Sequence, residues 1–488
     1  MRRMLSRVAK SVQNSCNGRS VSTSSERSAA VASAINRLEP SSVSMESNTK
    51  RTLADLDGPQ GYPVLGTAPE YFRKANRGKM HEVQRQFHQK YGKMFKERLG
   101  PVTNVSIADP KIVEELIRQE GKYPLRPPYE SWLLYKKLRS QKAGVMSAVG
   151  EEWHRYRTAL SQKLLRPRNV HEYVDIMNEV VTSLVQRIRY LRDHEGEGST
   201  VPALPNELCK WAAESIGAVL FEDRLGCLEN QMAVEVQDFI EAVGKMFLTG
   251  HQLMVFAEMH KKLGTKPWKT HVQSWDTIYR VAEKLINKSL DEMKRGIDVE
   301  DHDVKGSAFL GHLLTGTKLS IEEIYTCTTE LFLSGVDTSS NALGFAIYLL
   351  ARNPRVQERM YPVIPINARV TTADITLNGY LIPKDTCILL NAYTMAYDEQ
   401  HFSRAEEFIP ERWLRSESKD VNPFSMLPFG FGSRMCVGRR IAEQELYLAL
   451  IRIAQNFWLE PASKYELKPV LRTVLSLGEQ IPVQFKDR

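Results

Sequence analysis

Apolar residues recur at intervals of three and four over most of the first two thirds of the chain. The spacing is clear in residues 81–92, 170–195 and 272–295. It predicts amphipathic helices, because positions three and four apart lie on one face of a helix. Residues 186–204 and 296–307 are polar, and we expect loops there.

A longer helix is predicted from about Ser320 to Arg352. Ser320 and Glu323 have the spacing of a capping box, and Asn353-Pro354 is a helix stop. Residues 363–392 predict short strands and turns, and residues 398–435 predict mostly irregular structure.

A last helix is predicted from about Val437 to Asn456, followed by short strands. Together the patterns indicate a mainly helical fold with a small β region. We expect it to form one compact domain over residues 51–488, entered through a stretch rich in glycine and proline.

Composition indicates a globular protein of 488 residues, 42% hydrophobic and 25% charged. The net charge is +8, and residues 1–30 contribute +5 of it, from six Lys/Arg and one Glu. The remainder carries only +3, so the charge gives no reason to infer nucleic-acid binding.

The first 50 residues have the composition of a mitochondrial transit peptide and a disordered lead. Residues 1–30 contain eight serines, several arginines and no acid before Glu26. Met4, Leu5, Val8 and Val12 can form one apolar helical stripe. A merely disordered basic tail is the alternative. No run of about 18 apolar residues predicts a transmembrane anchor.

The six cysteines are scattered and show neither a disulfide framework nor a zinc-site spacing. Cys436 differs from the other five by its neighbours, Phe-Gly-Phe-Gly-Ser-Arg-Met before it and Val-Gly after it. Gly430 and Gly432 permit a tight hairpin. Cys436 falls at the predicted start of the last helix, where backbone N–H groups and the helix dipole favour a thiolate.

This segment resembles the cysteine loop of cytochromes P450, Phe-x-x-Gly-x-Arg-x-Cys-x-Gly. The matching residues are Phe429, Gly432, Arg434, Cys436 and Gly438. The resemblance implies the P450 fold and a haem b whose iron takes the Cys436 thiolate as axial ligand. It also implies that Arg434 pairs with a haem propionate and that Gly438 lets the helix approach the haem closely. A glycine-rich turn with an inert cysteine is the alternative.

Ser334-Gly-Val-Asp-Thr-Ser339 lies midway along the predicted long helix and is similar to the oxygen-activating motif of the family. By this resemblance, Asp337 and Thr338 form an acid–alcohol pair that delivers protons. Gly335 is explained by the approach of dioxygen and haem to the helix backbone, since glycine costs a helix interior about 1 kcal/mol relative to alanine. A polar kink without chemistry is the alternative.

Trp153 and Arg157 have the Trp-x-x-x-Arg spacing of the family's haem-clamping helix, and Arg369 matches its strand arginine. All three are expected to reach the propionates. Arg439 and Arg440 resemble the basic residues with which mitochondrial P450s dock an acidic iron–sulfur ferredoxin. A solvated helix start is the alternative for these two arginines.

Further stretches resemble the group that contains sterol 27-hydroxylase, the vitamin D hydroxylases and a retinoid desaturase, among them residues 119–126 and 379–384. This implies hydroxylation of a sterol, a secosteroid or a similar lipid with O₂ and electrons from a ferredoxin. Residues 127–146 and 238–268 correspond to the cavity lining, and the second stretch also to the membrane-dipping region. The expected location is therefore the matrix side of the mitochondrial inner membrane, with peripheral attachment.

One expected segment is absent. P450s carry a Glu-x-x-Arg pair on their K-helix, which meets an arginine downstream, here Arg412 in Pro410-Glu-Arg-Trp413. No glutamate between Thr338 and Cys436 has an arginine three positions later. The interval also looks roughly forty residues shorter than the family pattern. We place the deletion between Met360 and Tyr361. A haem-deficient or catalytically inactive variant is therefore the alternative to an active monooxygenase.

Overall fold

The computed structural model describes residues 51–297, 308–353, 363–407, 409, 421–463, 467–478 and 480–488. The expected leader at 1–50, the junction at Met360 and Tyr361, and Arg412 with its neighbours lie outside these residues, as do residues 298–307 and Pro354.

Helices dominate the described part of the chain. They are α1 Ala68–Phe72, α2 Met80–Tyr91, α3 Pro110–Arg118, α4 Glu130–Leu138, α5 Gly150–Leu164, α6 Pro167–His171, α7 Val174–His194, α8 Leu204–Phe221, α9 Val234–Gln252, α10 Ala257–Lys262, α11 Lys266–Ile297, α12 Ala308–Thr315, α13 Ile321–Arg352, α14 Ala392–Ala396 and α15 Arg439–Asn456.

The strands are short and form four small sheets. They are β1 Arg51–Thr52, β2 Met94–Leu99, β3 Val102–Ile107, β4 Asn367–Val370, β5 Ile375–Leu377, β6 Tyr380–Ile382, β7 Cys387–Leu390, β8 Phe457–Pro461, β9 Val470–Arg472, β10 Val474–Ser476 and β11 Val483–Asp487. The largest sheet has the order β2-β3-β7-β4, in which β3 and β7 are parallel and the other pairs antiparallel.

The long helix α13 forms the centre of the fold. It packs against α8, α11 and α15, and apolar residues on nearly all of its sides are buried. A helix that is apolar almost all round must lie inside a protein. The predicted capping box is present, because Ser320 Oγ accepts from Glu323 N–H and Glu323 Oε2 accepts from Ser320 N–H.

The predicted loop at 186–204 is wrong in its first half. Helix α7 continues to His194, because Ile188 and Leu191 extend its buried apolar stripe. Arg192, which made the stretch look polar, pairs with Asp487 at the C-terminus. The last helix begins at Arg439, two residues later than predicted. Among the described helices, none is long and apolar enough to cross a bilayer.

Candidate active site

The loop before α15 is a tight hairpin. Gly430 and Gly432 have φ of 69° and 72°, which side chains with a Cβ rarely adopt. The Cys436 N–H donates to the Phe429 carbonyl oxygen at 2.8 Å, and the Met435 N–H donates to Gly432 O at 3.1 Å. These bonds close the loop and present the Cys436 thiol on its accessible side.

Opposing effects act on the Cys436 thiol. The surrounding protein raises its pKa by desolvation. A hydrogen bond from the Gly438 backbone and the positive charges of Arg157, Arg126 and Arg439 act in the opposite direction. The predicted help from backbone N–H groups therefore comes from Gly438, the N-cap residue of α15.

Four arginines from different elements meet around this hairpin. They are Arg126 of the segment after α3, Arg157 of α5, Arg369 of β4 and Arg434 of the hairpin itself. Arg434 is 5% exposed and Arg369 is 3% exposed.

Backbone carbonyl groups hold Arg434 and Arg126. Arg434 donates through Nε to Pro124 O at 2.8 Å and through Nη2 to Ala148 O at 3.3 Å. Arg126 donates through Nη2 to Arg434 O at 2.5 Å, and its buried Nε has no hydrogen-bond partner among the described residues.

Arg157 and Arg369 are also bound to the hairpin. Arg157 Nη1 donates to Met435 O at 2.7 Å, and Arg369 Nη2 donates to Phe431 O at 3.3 Å. Arg369 is the one member with a carboxylate partner in the described structure, because its Nε lies 2.5 Å from Glu120 Oε1.

The cluster therefore has an excess of positive charge. Burial, followed by the repulsion of Arg126, Arg369 and Arg157, lowers the pKa of Arg434 to about 9. Burial and Arg369 lower the pKa of Arg126 to about 10. Arginine stays protonated in proteins, so these directions express unrelieved desolvation and repulsion. A dianion placed here would relieve both, and the two propionates of a haem fit that requirement.

Trp153 packs against an arginine of the cluster, and its predicted reach to a propionate stays a prediction. Its indole is 2% exposed, and the guanidinium carbon of Arg434 lies 3.7 Å from its ring centroid. This is a cation–π contact. In the described contacts, Trp153 thus supports an arginine of the cluster.

Asp337 and Thr338 lie on α13 as predicted. Burial raises the pKa of Asp337 to about 6, and Arg472 of β9 opposes the rise. The Thr338 hydroxyl donates to Ser334 O at 2.6 Å, which leaves its oxygen free to accept. Neither side chain has a described contact with Cys436.

Gly335 also packs closely against α8. A Cβ at this position would lie 2.9 Å from Ile216 Cγ1 of α8. The close packing of α13 against α8 is therefore a second reason for glycine here, beside the predicted approach of dioxygen and haem.

Arg439 and Arg440 are both paired with Glu443, one turn further along α15. The distances are 2.8 Å from Arg439 Nε and 3.1 Å from Arg440 Nη1. Arg440 is about half exposed. One carboxylate thus offsets part of the positive charge that the two arginines present.

Sequence reasoning missed Arg126, Glu120 and Glu445. Arg126 and Glu120 lie within residues 119–126, a stretch that resembles the family, so the motif itself was the available signal. Glu445 is 3% exposed on α15 and accepts from Ser339 Oγ at 2.5 Å. Burial raises its pKa to about 8, so it is mainly protonated at neutral pH.

The family model of cytochrome P450 matches the chain in two segments, residues 56–361 and 359–485. Cytochrome P450 27C1 of Danio rerio is 36% identical over an aligned length of 477 residues, with 90% of this chain and 87% of the relative covered. The 25-hydroxyvitamin D-1 alpha hydroxylase, mitochondrial, of Homo sapiens is 36% identical over 485 residues, with 90% and 94% covered. The mitochondrial sterol 26-hydroxylase of Rattus norvegicus is 34% identical over 484 residues, with 90% and 89% covered.

Proposed function

This chain belongs to the cytochrome P450 family, and we propose that it is the mitochondrial type of haem-thiolate monooxygenase, acting on a sterol-like lipid with electrons from a ferredoxin. The predicted family and mainly helical fold are confirmed. Members of the family hold haem b through a cysteine thiolate and act as monooxygenases. The observation that carries the proposal is the excess of buried arginines around the accessible Cys436 thiol.

The residues around Cys436 fit a haem. Cys436 would bind the iron through its thiolate, and Arg126, Arg157, Arg369 and Arg434 would hold the propionates by charge-assisted hydrogen bonds. When bound, the haem would supply the activation of O₂, to which a thiolate ligand contributes electron density.

Asp337 and Thr338 would hold and pass protons. A carboxyl group whose pKa lies at about 6 exchanges its proton readily near neutral pH. The Thr338 hydroxyl is fixed on Ser334 O and can accept a hydrogen bond from water. We expect Asp337 and Thr338 to pass protons inward from the side of α13 on which Arg472 lies.

The substrate class rests on the relatives. Two of them are named for sterol and vitamin D hydroxylation, and each aligns with about nine tenths of this chain. We propose a sterol, a secosteroid or a similar lipid as substrate.

The proposed electron donor is an acidic iron–sulfur ferredoxin. A surface groove of about 480 Å³ runs between α5 and the cysteine loop, with Arg157 and Arg166 in its lining. Arg439 and Arg440 follow the same loop in sequence. Positive charge here supports docking of a negatively charged partner close to Cys436.

Peripheral attachment to the matrix side of the inner membrane is proposed from one exposed apolar surface. Val64 and Leu263 are 74% and 70% exposed, and Val102 is 49% exposed. The turn at Gly100 lies against Val255 and Phe256, just before α10, and Gly66 pairs with Leu99. Helix α10 adds basic residues, which suit an anionic membrane.

Residues 1–50 are proposed as the mitochondrial transit peptide and lead, ahead of the P450 domain at 51–488.

The alternative function, a haem-deficient or inactive variant, is favoured by the missing Glu-x-x-Arg pair. The two segments of the family match meet at residues 359–361, where we place the deletion, and this supports it. Arg412 would lose its carboxylate partner, and an orphaned buried charge costs about 3–5 kcal/mol. We therefore expect poor haem incorporation.

Turnover tests the proposal directly. The chain is expressed with haem and supplied with a mitochondrial ferredoxin, its reductase, NADPH and either cholesterol or 25-hydroxyvitamin D3. A product heavier by one oxygen atom supports the monooxygenase. Haem uptake without a product from either lipid would contradict the substrate class, and absence of haem uptake would favour the inactive variant.

A further inference from the structure

A second buried ionic group lies on α13, two helical turns before Asp337. Glu330 is fully buried and Lys136 of α4 is 3% exposed, and their charged atoms are 3.0 Å apart. Glu330 also accepts from the N–H groups of Gly144 at 3.2 Å and Met146 at 2.7 Å, and from Ser147 Oγ at 2.9 Å. We call these five residues the Glu330 clamp.

Every charged atom of the clamp is satisfied. The Lys136 ammonium also donates to Lys142 O at 3.0 Å and to Tyr279 Oη of α11 at 2.8 Å, so its three hydrogens are used. The one negative charge and the one positive charge neutralise each other. The clamp therefore has no spare charge with which to bind another ion.

The loop rests directly on the carboxylate. A Cβ at Gly144 would lie 2.5 Å from Glu330 Cδ and from Oε2. A real Cβ never comes so close to another heavy atom, so only glycine permits this approach.

The segment 144–148 is tied at both ends. Glu330 binds its beginning, and the carbonyl of Ala148 accepts from Arg434 Nη2 of the cysteine loop at 3.3 Å. The side chain of Met146, whose backbone N–H is one of these ties, is 38% exposed. Glu330 and Asp337 are seven residues apart and therefore lie on one face of α13, about 10 Å apart along its axis.

We propose that Glu330 and Lys136 are positioning residues that fix segment 144–148 as a wall of the substrate cavity and thereby set which lipid fits. The positioning role follows from the ties to α13 and to the cysteine loop. The wall and specificity roles rest on the proposed function, which puts the substrate beside the same loop.

Hydrogen–deuterium exchange of the full 488-residue chain, without added haem or lipid, tests the clamp. Glu330→Gln should speed exchange of the Gly144 and Met146 amides by about tenfold or more, with little change in α7 and β8. The matched control is Glu322→Gln. Glu322 lies on the same helix and meets Lys142 of the same loop at 3.4 Å, but it is 72% exposed.

Two further variants keep the test decisive. Gly144→Ala leaves both charges in place and pushes the loop off the carboxylate, so it should reproduce the local effect. Lys136→Met combined with Glu330→Gln avoids an unpaired buried charge if the single variant folds poorly. Unprotected Gly144 and Met146 amides in the unmodified chain would overturn the proposal, as would a uniform rise in exchange in every variant.

Binding of two lipids tests the specificity role separately. The ratio of the dissociation constants for 25-hydroxyvitamin D3 and cholesterol, followed by tryptophan fluorescence, should change at least about threefold in Gly144→Ala and remain unchanged in Glu322→Gln. An unchanged ratio with a loosened wall would overturn the specificity role. If the unmodified chain binds neither lipid, the proposed substrate class fails, while the exchange result still decides whether the clamp fixes the wall.

Discussion

The arginine cluster and the Glu330 clamp bury charge in opposite ways. The cluster places four guanidinium groups around Cys436 with Glu120 as the one carboxylate partner in the described structure. The clamp places one carboxylate against one ammonium and fills every remaining hydrogen-bonding position. A balanced site holds the protein together, whereas an unbalanced one needs an added ion. The cluster is therefore where we expect a dianionic cofactor, and the clamp is where we expect a fixed wall.

Breaking the balanced site should have the largest effect on stability. Glu330→Leu would leave Lys136 buried without its counter-ion, and the Met146 N–H and the Ser147 hydroxyl without an acceptor. We expect the free energy of unfolding to fall by about 3–5 kcal/mol. Urea unfolding of this variant against Glu322→Gln measures the effect. A loss below about 1 kcal/mol would show that the two sites do not differ as described.

Glu445 is a third buried ionisable group, and it avoids the cost of a buried charge because it stays protonated. Its pKa is raised from 4.5 to about 8, so the native state holds the proton more tightly than the unfolded state does. The resulting stabilisation is present below about pH 4.5 and is lost as the pH rises to about 8. Glu445→Gln removes this dependence. Between pH 5 and pH 8, unfolding experiments should therefore show the wild type losing about 3–4 kcal/mol relative to the variant. Parallel curves would contradict a protonated Glu445.

Removing a charge from the arginine cluster should not lower the free energy of unfolding of the chain without haem. Arg126→Leu relieves repulsion and an unpartnered buried Nε, so we expect stability to be unchanged or higher by up to about 1 kcal/mol. In the chain with a K-helix segment restored between Met360 and Tyr361, the same change should weaken haem binding about tenfold, because one charge-assisted contact to the propionates is lost. Haem titration of both proteins measures this. A clear loss of stability without haem would assign Arg126 a structural role.

The smallest effect is expected for exposed charged residues, because solvent and salt screen their interactions. Arg440→Gln should slow ferredoxin association a few-fold at low salt and hardly at all at high salt. Glu443→Gln, which frees both arginines, should speed it. Stopped-flow reduction of the haem-loaded chain with a restored K-helix segment, over a range of ionic strength, distinguishes the two variants. Equal rates for all three proteins would exclude this surface from docking.

The arginine cluster and the Glu330 clamp also differ in how far the sequence predicts them. Local signals were reliable: the capping box fixed the start of α13 at Ile321, and the glycines of the cysteine loop have the positive φ values expected. The cluster was predicted in part, because Arg157, Arg369 and Arg434 lie in motifs. Arg126 also lies in a stretch that resembles the family, but its place in the cluster is evident only from the tertiary structure.

The clamp could not be predicted at all. Lys136 and Glu330 lie on helices far apart in sequence, and neither spacing nor composition distinguishes them from solvated surface charges. The packing contact of Gly335 could not be predicted for the same reason, since its neighbour Ile216 comes from a different helix.

The reduced carbon-monoxide difference spectrum tests the central claim most directly. It is recorded for the 488-residue chain expressed with excess haem, for the chain with a K-helix segment restored between Met360 and Tyr361, and for the restored chain with Cys436→Ser. We predict little or no thiolate-type Soret peak in the first, a normal peak in the second and its loss in the third. A normal peak from the unmodified chain would contradict the structural consequence of the deletion, and a peak that survives Cys436→Ser would contradict the assignment of the ligand.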